Sequence, residues 1–231
     1  MTIHTIFDIL ALFVGVAISK LIKPQTPFIS DEDLRYRYYI VLILGVTLGA
    51  FGVGTLNTFI SLENHTIGKS VFGALFGGIL GAEIFKKYHH INGSTGAYFV
   101  PSLAIGIAIG RIGCFLSGMK DYTYGIETSL PWGYDFGDHI LRHPVQLYES
   151  FAMGLFFIFS LYLLRYHKFY FEQKAFYLFI GFYSFQRFIW EFLKPYESII
   201  MGLNTFQLGS LALLSYSIYF YKKEDKPSYK E

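Results

Sequence analysis

Charge is scarce in this sequence. Of 231 residues only 16% are Asp, Glu, Lys or Arg, against about 25% in ordinary soluble domains, and the shortage argues against a soluble globular protein. Cysteine is nearly absent: Cys114 stands alone, so it closes no intramolecular disulfide and lacks the clustered partners of a zinc or iron–sulfur site. A long basic stripe is missing too. The 19 Lys and Arg nearly balance 17 Asp and Glu, for a formal charge of +2, and this excludes nucleic acid as a partner. Long polar stretches are equally lacking. The longest connection between apolar runs, Ser117 to Val145, is too short to house a soluble domain of ordinary size.

What fills the chain is apolar: 53% hydrophobic and 20% aromatic residues. Runs long enough to cross a bilayer, roughly 17–25 residues each, recur at Ile6–Ile22, Tyr38–Ile60, Lys69–Phe85, Ala97–Leu116, Gln146–Tyr166, Ala175–Leu193 and Leu203–Tyr221. The pattern predicts an all-α polytopic membrane protein of about seven transmembrane helices, with one integral membrane domain over 1–221 and a short charged tail over 222–231. The first run has no basic residues before it and no small-residue cleavage site after it, so it reads as a retained helix. With the amino terminus outside, 13 basic residues fall on the inner side and 4 (Lys69, Lys120, Arg142, Lys194) on the outer side. The positive-inside rule therefore places the amino terminus outside and the carboxyl terminus in the cytoplasm.

The two arginines left over, Arg111 and Arg187, lie inside predicted helices, where each costs about 2.5–3.5 kcal/mol unless paired or hydrated. In this orientation Asp8, Arg111, Gln146, Glu149, Arg187, Glu191 and Gln207 all fall in the outer half of the membrane. Five helices thus send polar groups to one depth, which describes a charged, hydrated pocket facing the outer leaflet. Tyr183, Arg187 and Glu191 are spaced by four and share a helix face. Gln146 and Glu149 point together from the start of the next element, behind Pro144 at a first helical turn and His143 just above. Two guanidiniums at one depth suit a phosphate ester better than a metal, because Arg presents planar paired donors and stays protonated. A phospholipid headgroup is the anion available at that depth.

A second reading makes the same residues staples of a helix bundle, pairing Arg187 with Glu191 and Arg111 with Glu149 or Asp8. Elsewhere the blander readings are preferred. Glu83 has no assigned partner and is explained by snorkelling, and His89 and His90 belong to a solvated basic face beside Lys86 and Lys87. The series Gly73, Gly77, Gly81 and the pair Gly106, Gly110 have the spacing that brings helices close. Gly68-Lys69-Ser70 imitates the end of a phosphate loop, but Glu63 stands where the first glycine belongs. Tyr36, Tyr38 and Tyr39 read as interfacial belt, and Cys114 as packing.

The run Gly110-Arg111-Ile112-Gly113-Cys114-Phe115-Leu116-Ser117-Gly118, followed by Tyr124-Gly125, resembles the glycine-arginine signature of the bacterial prolipoprotein diacylglyceryl transferases. Three more blocks agree in order and spacing: His143-Pro144-Val145-Gln146-Leu147-Tyr148-Glu149, then Tyr183 with Arg187 and Glu191, then Gln207. Gly77-Gly78-Ile79-Leu80-Gly81 resembles the family's glycine-rich third helix. The resemblance implies an inner-membrane enzyme that moves the diacylglyceryl group of phosphatidylglycerol onto the lipobox cysteine in the signal peptide of a prolipoprotein, without metal or dissociable cofactor. It implies catalytic roles for Arg111, Arg187, Glu191, Tyr183 and His143. Substrate contacts would come from Gly110, Cys114, Ser117, Gly125, Gln146, Tyr148, Glu149 and Gln207. The sequence departs from the family pattern at Cys114 and Ser117, where the family has Asn, and at Phe76, where it has a His that is a candidate for activating the acceptor thiol. His143, Glu149 and Tyr183 remain as candidate bases. Two alternatives stand beside this reading: the same fold with a different acceptor, and a phospholipid-binding membrane protein without chemistry.

Overall fold

The computed structural model describes residues 3–22, 24, 28–61 and 67–223. In chain order its helices are α1 (Ile3–Leu21), α2 (Glu32–Ser61), α3 (Val71–Tyr88), α4 (Val100–Ser117), α5 (Val145–Tyr166), α6 (Lys168–Glu191) and α7 (Thr205–Lys222). These fall close to the seven apolar runs, because long uninterrupted apolar segments satisfy their backbone only as helices in lipid. Among the described residues four helices are long and apolar enough to cross a membrane, at Ile3–Leu21, Glu32–Phe59, Ala97–Lys120 and Val145–Tyr166. The expected tail over 222–231 lies, from 224 on, outside the described residues.

The chain forms two compact units, Met1–Lys23 with Gly96–Lys223, and a second whose described part is within Pro24–Thr95. In the first, neighbouring helices run antiparallel. Gly113 of α4 faces Phe7 of α1, while at the other end Ser19 and Ser102 share a 2.7 Å hydrogen bond. Ser150 on α5 donates to the Ala108 carbonyl of α4 at 2.8 Å, and Ser217 on α7 donates to the Tyr177 carbonyl of α6 at 2.7 Å. Such interhelical hydrogen bonds average about 0.6 kcal/mol in membrane bundles. The unit's interior is aromatic: Phe171, Phe179 and Tyr183 are buried, and the Phe156 and Phe182 rings stack at 4.9 Å. The antiparallel order collects the starts of α1, α5 and α7 and the ends of α4 and α6 at one end.

In the second unit α2 and α3 touch backbone to backbone. A Cβ on Gly45 would lie 2.5 Å from the Gly77 carbonyl oxygen, and Gly49 and Gly73 face each other too closely for any side chain. Ser70 caps α3 by accepting the Gly73 N–H at 3.1 Å, so the Gly68-Lys69-Ser70 stretch ends as a helix start.

Several expectations are corrected. Tyr38 belongs to a core with Ile29 and Phe85 and shares a 2.8 Å hydrogen bond with Thr95, so it is not interfacial belt. Glu83 has a partner, Lys86, at 2.9 Å. A Cβ on Gly110 would meet nothing within 4 Å, and one on Gly106 only the Ala11 carbonyl oxygen at 3.9 Å, so that pair does not mark a close crossing. The polar connection after α4 contains a hairpin, β1 (Tyr134–Asp135) against β2 (Leu141–Arg142). Hydropathy gave no sign of it. Its turn is held by Asp135 Oδ1, which accepts the N–H groups of Gly137, Asp138 and His139 at 2.8–3.1 Å, an Asx-type closure.

Candidate active site: a buried arginine–carboxylate cluster

Five charged side chains meet where α4, α5 and α6 converge. Arg111 near the end of α4 places Nε 2.5 Å from Glu149 Oε2 on the first turns of α5, an ion pair rather than a well-directed hydrogen bond. Arg187 of α6 donates to the other oxygen of Glu149 at 2.9 Å and reaches Glu191, one turn on, at 2.8 Å. The third cation is Lys194, three residues past Glu191, with Nζ 2.9 Å from Glu149 and 3.2 Å from Glu191. All five residues are at least nine-tenths buried. Three basic side chains face two carboxylates in a buried site. The two guanidiniums, which stay protonated, are the groups that attract an anion.

The elements that hold these groups are themselves fixed by local chemistry. Asn204 caps α7 in a reciprocal box with Gln207, at 2.9 Å each way, and its amide donates to Glu191 Oε2 at 3.0 Å. The start of α7 thereby clamps the end of α6. Arg187 also lies over the Phe206 ring, 4.8 Å from its centroid, in a cation–π contact. Burial, then the neighbouring Arg187, holds the Lys194 ammonium below the usual lysine range against the pull of Glu149 and Glu191. Burial pushes the Tyr196 phenol above its usual range, and its hydroxyl donates to the Tyr122 carbonyl at 2.7 Å.

Several buried polar atoms around the cluster have no hydrogen-bond partner among the described residues: Arg187 Nε, Tyr183 OH, Gln146 Oε1 and Gln207 Nε2, with Ser184 and Ser210 Oγ. Leaving such groups unmet costs about 1–3 kcal/mol each. Both donors and acceptors are represented, which suits a ligand such as a phosphate ester with attached hydroxyls.

Of the residues singled out from sequence, the structure brings Arg111, Glu149, Arg187 and Glu191 into direct contact, sets Tyr183 and Gln146 as buried residues on the same elements, and buries Gln207 on the first turn of α7. Gln146 Nε2 lies 3.3 Å from Thr123 Oγ1. His143 is bound elsewhere: its Nδ1 shares a 3.4 Å contact with Tyr148 OH, which also accepts from Trp132 at 2.9 Å. Gly125 donates its N–H to the His143 carbonyl at 3.1 Å, and a Cβ there would strike His143. Ser117 Oγ donates to the Gly113 carbonyl of its own helix at 2.8 Å. Cys114 is buried, with Arg111 Nη1 at 4.0 Å and His4 Nε2 at 3.7 Å from its sulfur. Asp8 hydrogen-bonds His4 at 3.0 Å, and the partner found for Arg111 is Glu149. Phe76 is exposed on α3, stacked on Phe72 at 6.5 Å. Lys194 and Asn204 escaped the sequence reading, though the i, i+3 spacing of Glu191 and Lys194 was a usable signal.

Fold and site together define a helical membrane protein built around a buried arginine–carboxylate cluster at one end of its bundle. The family described as prolipoprotein diacylglyceryl transferase matches residues 2–222, and the chain belongs to that family. Curated relatives include the phosphatidylglycerol–prolipoprotein diacylglyceryl transferase of Campylobacter lari, 30% identical over 96% of this chain and 90% of its own length. The protein of that name from Campylobacter jejuni subsp. jejuni serotype O:23/36 is 29% identical over 95% of this chain and 90% of its own length. One from Dehalococcoides mccartyi strain 195 is 30% identical over 67% of this chain and 60% of its own length. No solved structure matches the chain.

Proposed function

We propose that this chain transfers the diacylglyceryl group of phosphatidylglycerol to the lipobox cysteine of a prolipoprotein, in a bacterial inner membrane, from a site open to the outer leaflet. Family membership and the relatives' names support the reaction, and the positive-inside count supports the orientation, amino terminus outside. The observation that carries the site assignment is the meeting of Arg111 and Arg187 on one carboxylate, Glu149. That arrangement fixes two guanidiniums side by side. In the reaction the acceptor sulfur bonds to the glyceryl carbon, the carbon–oxygen bond to phosphate breaks, and glycerol phosphate departs with the bonding pair. Arg111 and Arg187 bind the phosphate and stabilise the charge growing on it, an effect strongest in a dry, pre-organised site. Glu191, Lys194 and Glu149 hold the guanidiniums in register, while Tyr183, Gln146 and Gln207 offer their unmatched polar atoms to the headgroup. Gly110, beside open space, leaves room for lipid, and Tyr148, Gly125, His143, Cys114 and Ser117 line the approach.

The test is release of glycerol phosphate by the purified protein in vesicles containing phosphatidylglycerol, with and without a lipobox peptide. Release that needs both is the expected result. Release of glycerol phosphate without peptide, or transfer from phosphatidylethanolamine vesicles with release of phosphoethanolamine, contradicts the assignment of acceptor or donor.

A further inference from the structure

We propose that His4, oriented by Asp8, takes the proton from the acceptor thiol. The proposal rests on the transfer reaction above, in which a thiol must lose its proton before its sulfur can attack. His4 and Asp8 are one turn apart on α1, and Asp8 Oδ2 lies 3.0 Å from His4 Nδ1. That hydrogen bond places the ring proton on Nδ1 and leaves Nε2 with a lone pair, the tautomer a base requires. Nε2 faces a sulfur already: Cys114 Sγ lies 3.7 Å away, and Arg111 Nη1 lies 4.0 Å from the same atom. One contact therefore separates the imidazole from the guanidinium that holds the phosphate. An acceptor thiol presented beside Cys114 would have its proton acceptor on one side and its leaving group on the other.

Position and access favour this pair over the other bases. The Glu149 and Glu191 side chains are 3% and 0% exposed and are ion-paired to cations, which protonation would leave uncompensated. His4 and Asp8 side chains are 34% and 42% exposed, so a peptide can reach them. Among the remaining histidines within the described residues, His143 is committed to Tyr148, the His139 side chain is 97% exposed on the hairpin turn, and His167 sits between α5 and α6 at the opposite end. His89 and His90 belong to the other unit. α1 is held where it must be, because Phe7 fills the space that any side chain on Gly113 would need. The titratable and charged groups facing the imidazole among the described residues are Asp8 on its own helix and, on α4, Cys114 with Arg111 behind it.

In the step, the acceptor S–H proton passes to His4 Nε2 as the thiolate forms. Asp8 carries the balancing charge of the imidazolium, and the proton leaves to water or to the departing phosphate.

The experiment compares wild-type protein, His4→Gln and Asp8→Asn in phosphatidylglycerol vesicles with a lipobox peptide, measuring kcat and both KM values from pH 6 to pH 9. Removal of a general base costs about 10²- to 10⁴-fold. The expected result is a kcat loss of that order for His4→Gln at pH 7 with both KM values little changed, and a smaller loss for Asp8→Asn. The gap to wild type should narrow as pH rises toward about 8.5, where a free thiol ionises unaided. Wild-type kcat and pH profile in His4→Gln overturn the proposal. So does a loss that is constant with pH and accompanied by raised KM for lipid, which marks a packing role. Asp8→Asn decides by the same profile if His4→Gln fails to insert. Absence of transfer by the wild type overturns the transfer reading itself, and this inference with it, whatever the variants do.

Discussion

Arg187 makes the sharpest case at the scale of single residues. Its two terminal nitrogens are spent on Glu149 and Glu191, while Nε has no partner among the described residues. Lysine keeps the charge but has neither the fork nor a second donor direction. Arg187→Lys is therefore expected to lower transfer by about 10²- to 10³-fold, the cost of losing one pre-organised donor set, while the protein still inserts and purifies as wild type. Normal transfer by that variant, measured with labelled lipid, would make the cluster a structural staple. Glu149→Gln acts differently, since it leaves three cations facing one carboxylate. Breaking one side of a buried ion network costs about 3–5 kcal/mol, so this variant should lose thermal stability as well as activity. The arginines and their carboxylates were legible in the sequence because an ionisable residue in an apolar helix demands an explanation. Lys194 was not, because it follows the helix end and counts there as one more outer basic residue. His4 was overlooked for a related reason: near the start of the chain nothing local distinguishes it, and its meaning comes from Cys114, more than a hundred residues away.

Elements carry expectations of their own. α2 and α3 meet through Gly45, Gly49, Gly73 and Gly77, with room for no side chain between. Gly45→Leu should separate the pair at an overpacking cost of about 1–3 kcal/mol, seen as a lower melting temperature of the purified protein; an unchanged melting temperature would show that the two helices are not packed this closely. At the start of α7, Asn204→Ala removes both the cap and the amide on Glu191. The cap alone is worth about 1 kcal/mol, so activity should fall along with stability, and activity is the readout that connects the cap to the site. The hairpin responds to pH. Arg142 hydrogen-bonds Asp138 and holds its carboxyl below the usual range. A depressed carboxyl pKa contributes stability above its unfolded value, about 3.9, and loses it as pH falls through the folded value. The protection of the Ile140 amide, which donates to Asp138, measured as its exchange rate relative to that of an unstructured peptide at the same pH, should therefore fall on acidification below about pH 4, whereas in Asp138→Asn it should show no such step. Seven helices were readable from apolar run length alone. The hairpin was not, because two-residue strands held by Asp135 leave no periodic trace.

For the molecule as a whole, antiparallel helix order brings His4, Arg111, Glu149, Glu191 and Asn204 to one end of a single unit, although they span most of the sequence. The sequence reading assigned most of these polar groups a common depth from charge counts alone, yet their pairing depended on side-chain directions that counting does not hold. Topology is the independent check at this scale. A reporter fused after Lys223 should be active only in the cytoplasm, and one placed on the hairpin near His139 only outside; the reverse would turn the site toward the wrong leaflet. The most direct measurement is transfer of labelled diacylglyceryl from phosphatidylglycerol to a synthetic lipobox peptide by the purified protein, with Arg111→Ala alongside. Transfer by the wild type that vanishes in Arg111→Ala, with the variant folded, is the expected result. A folded wild type that binds phosphatidylglycerol and transfers nothing, or an Arg111→Ala protein that transfers normally, would contradict the account.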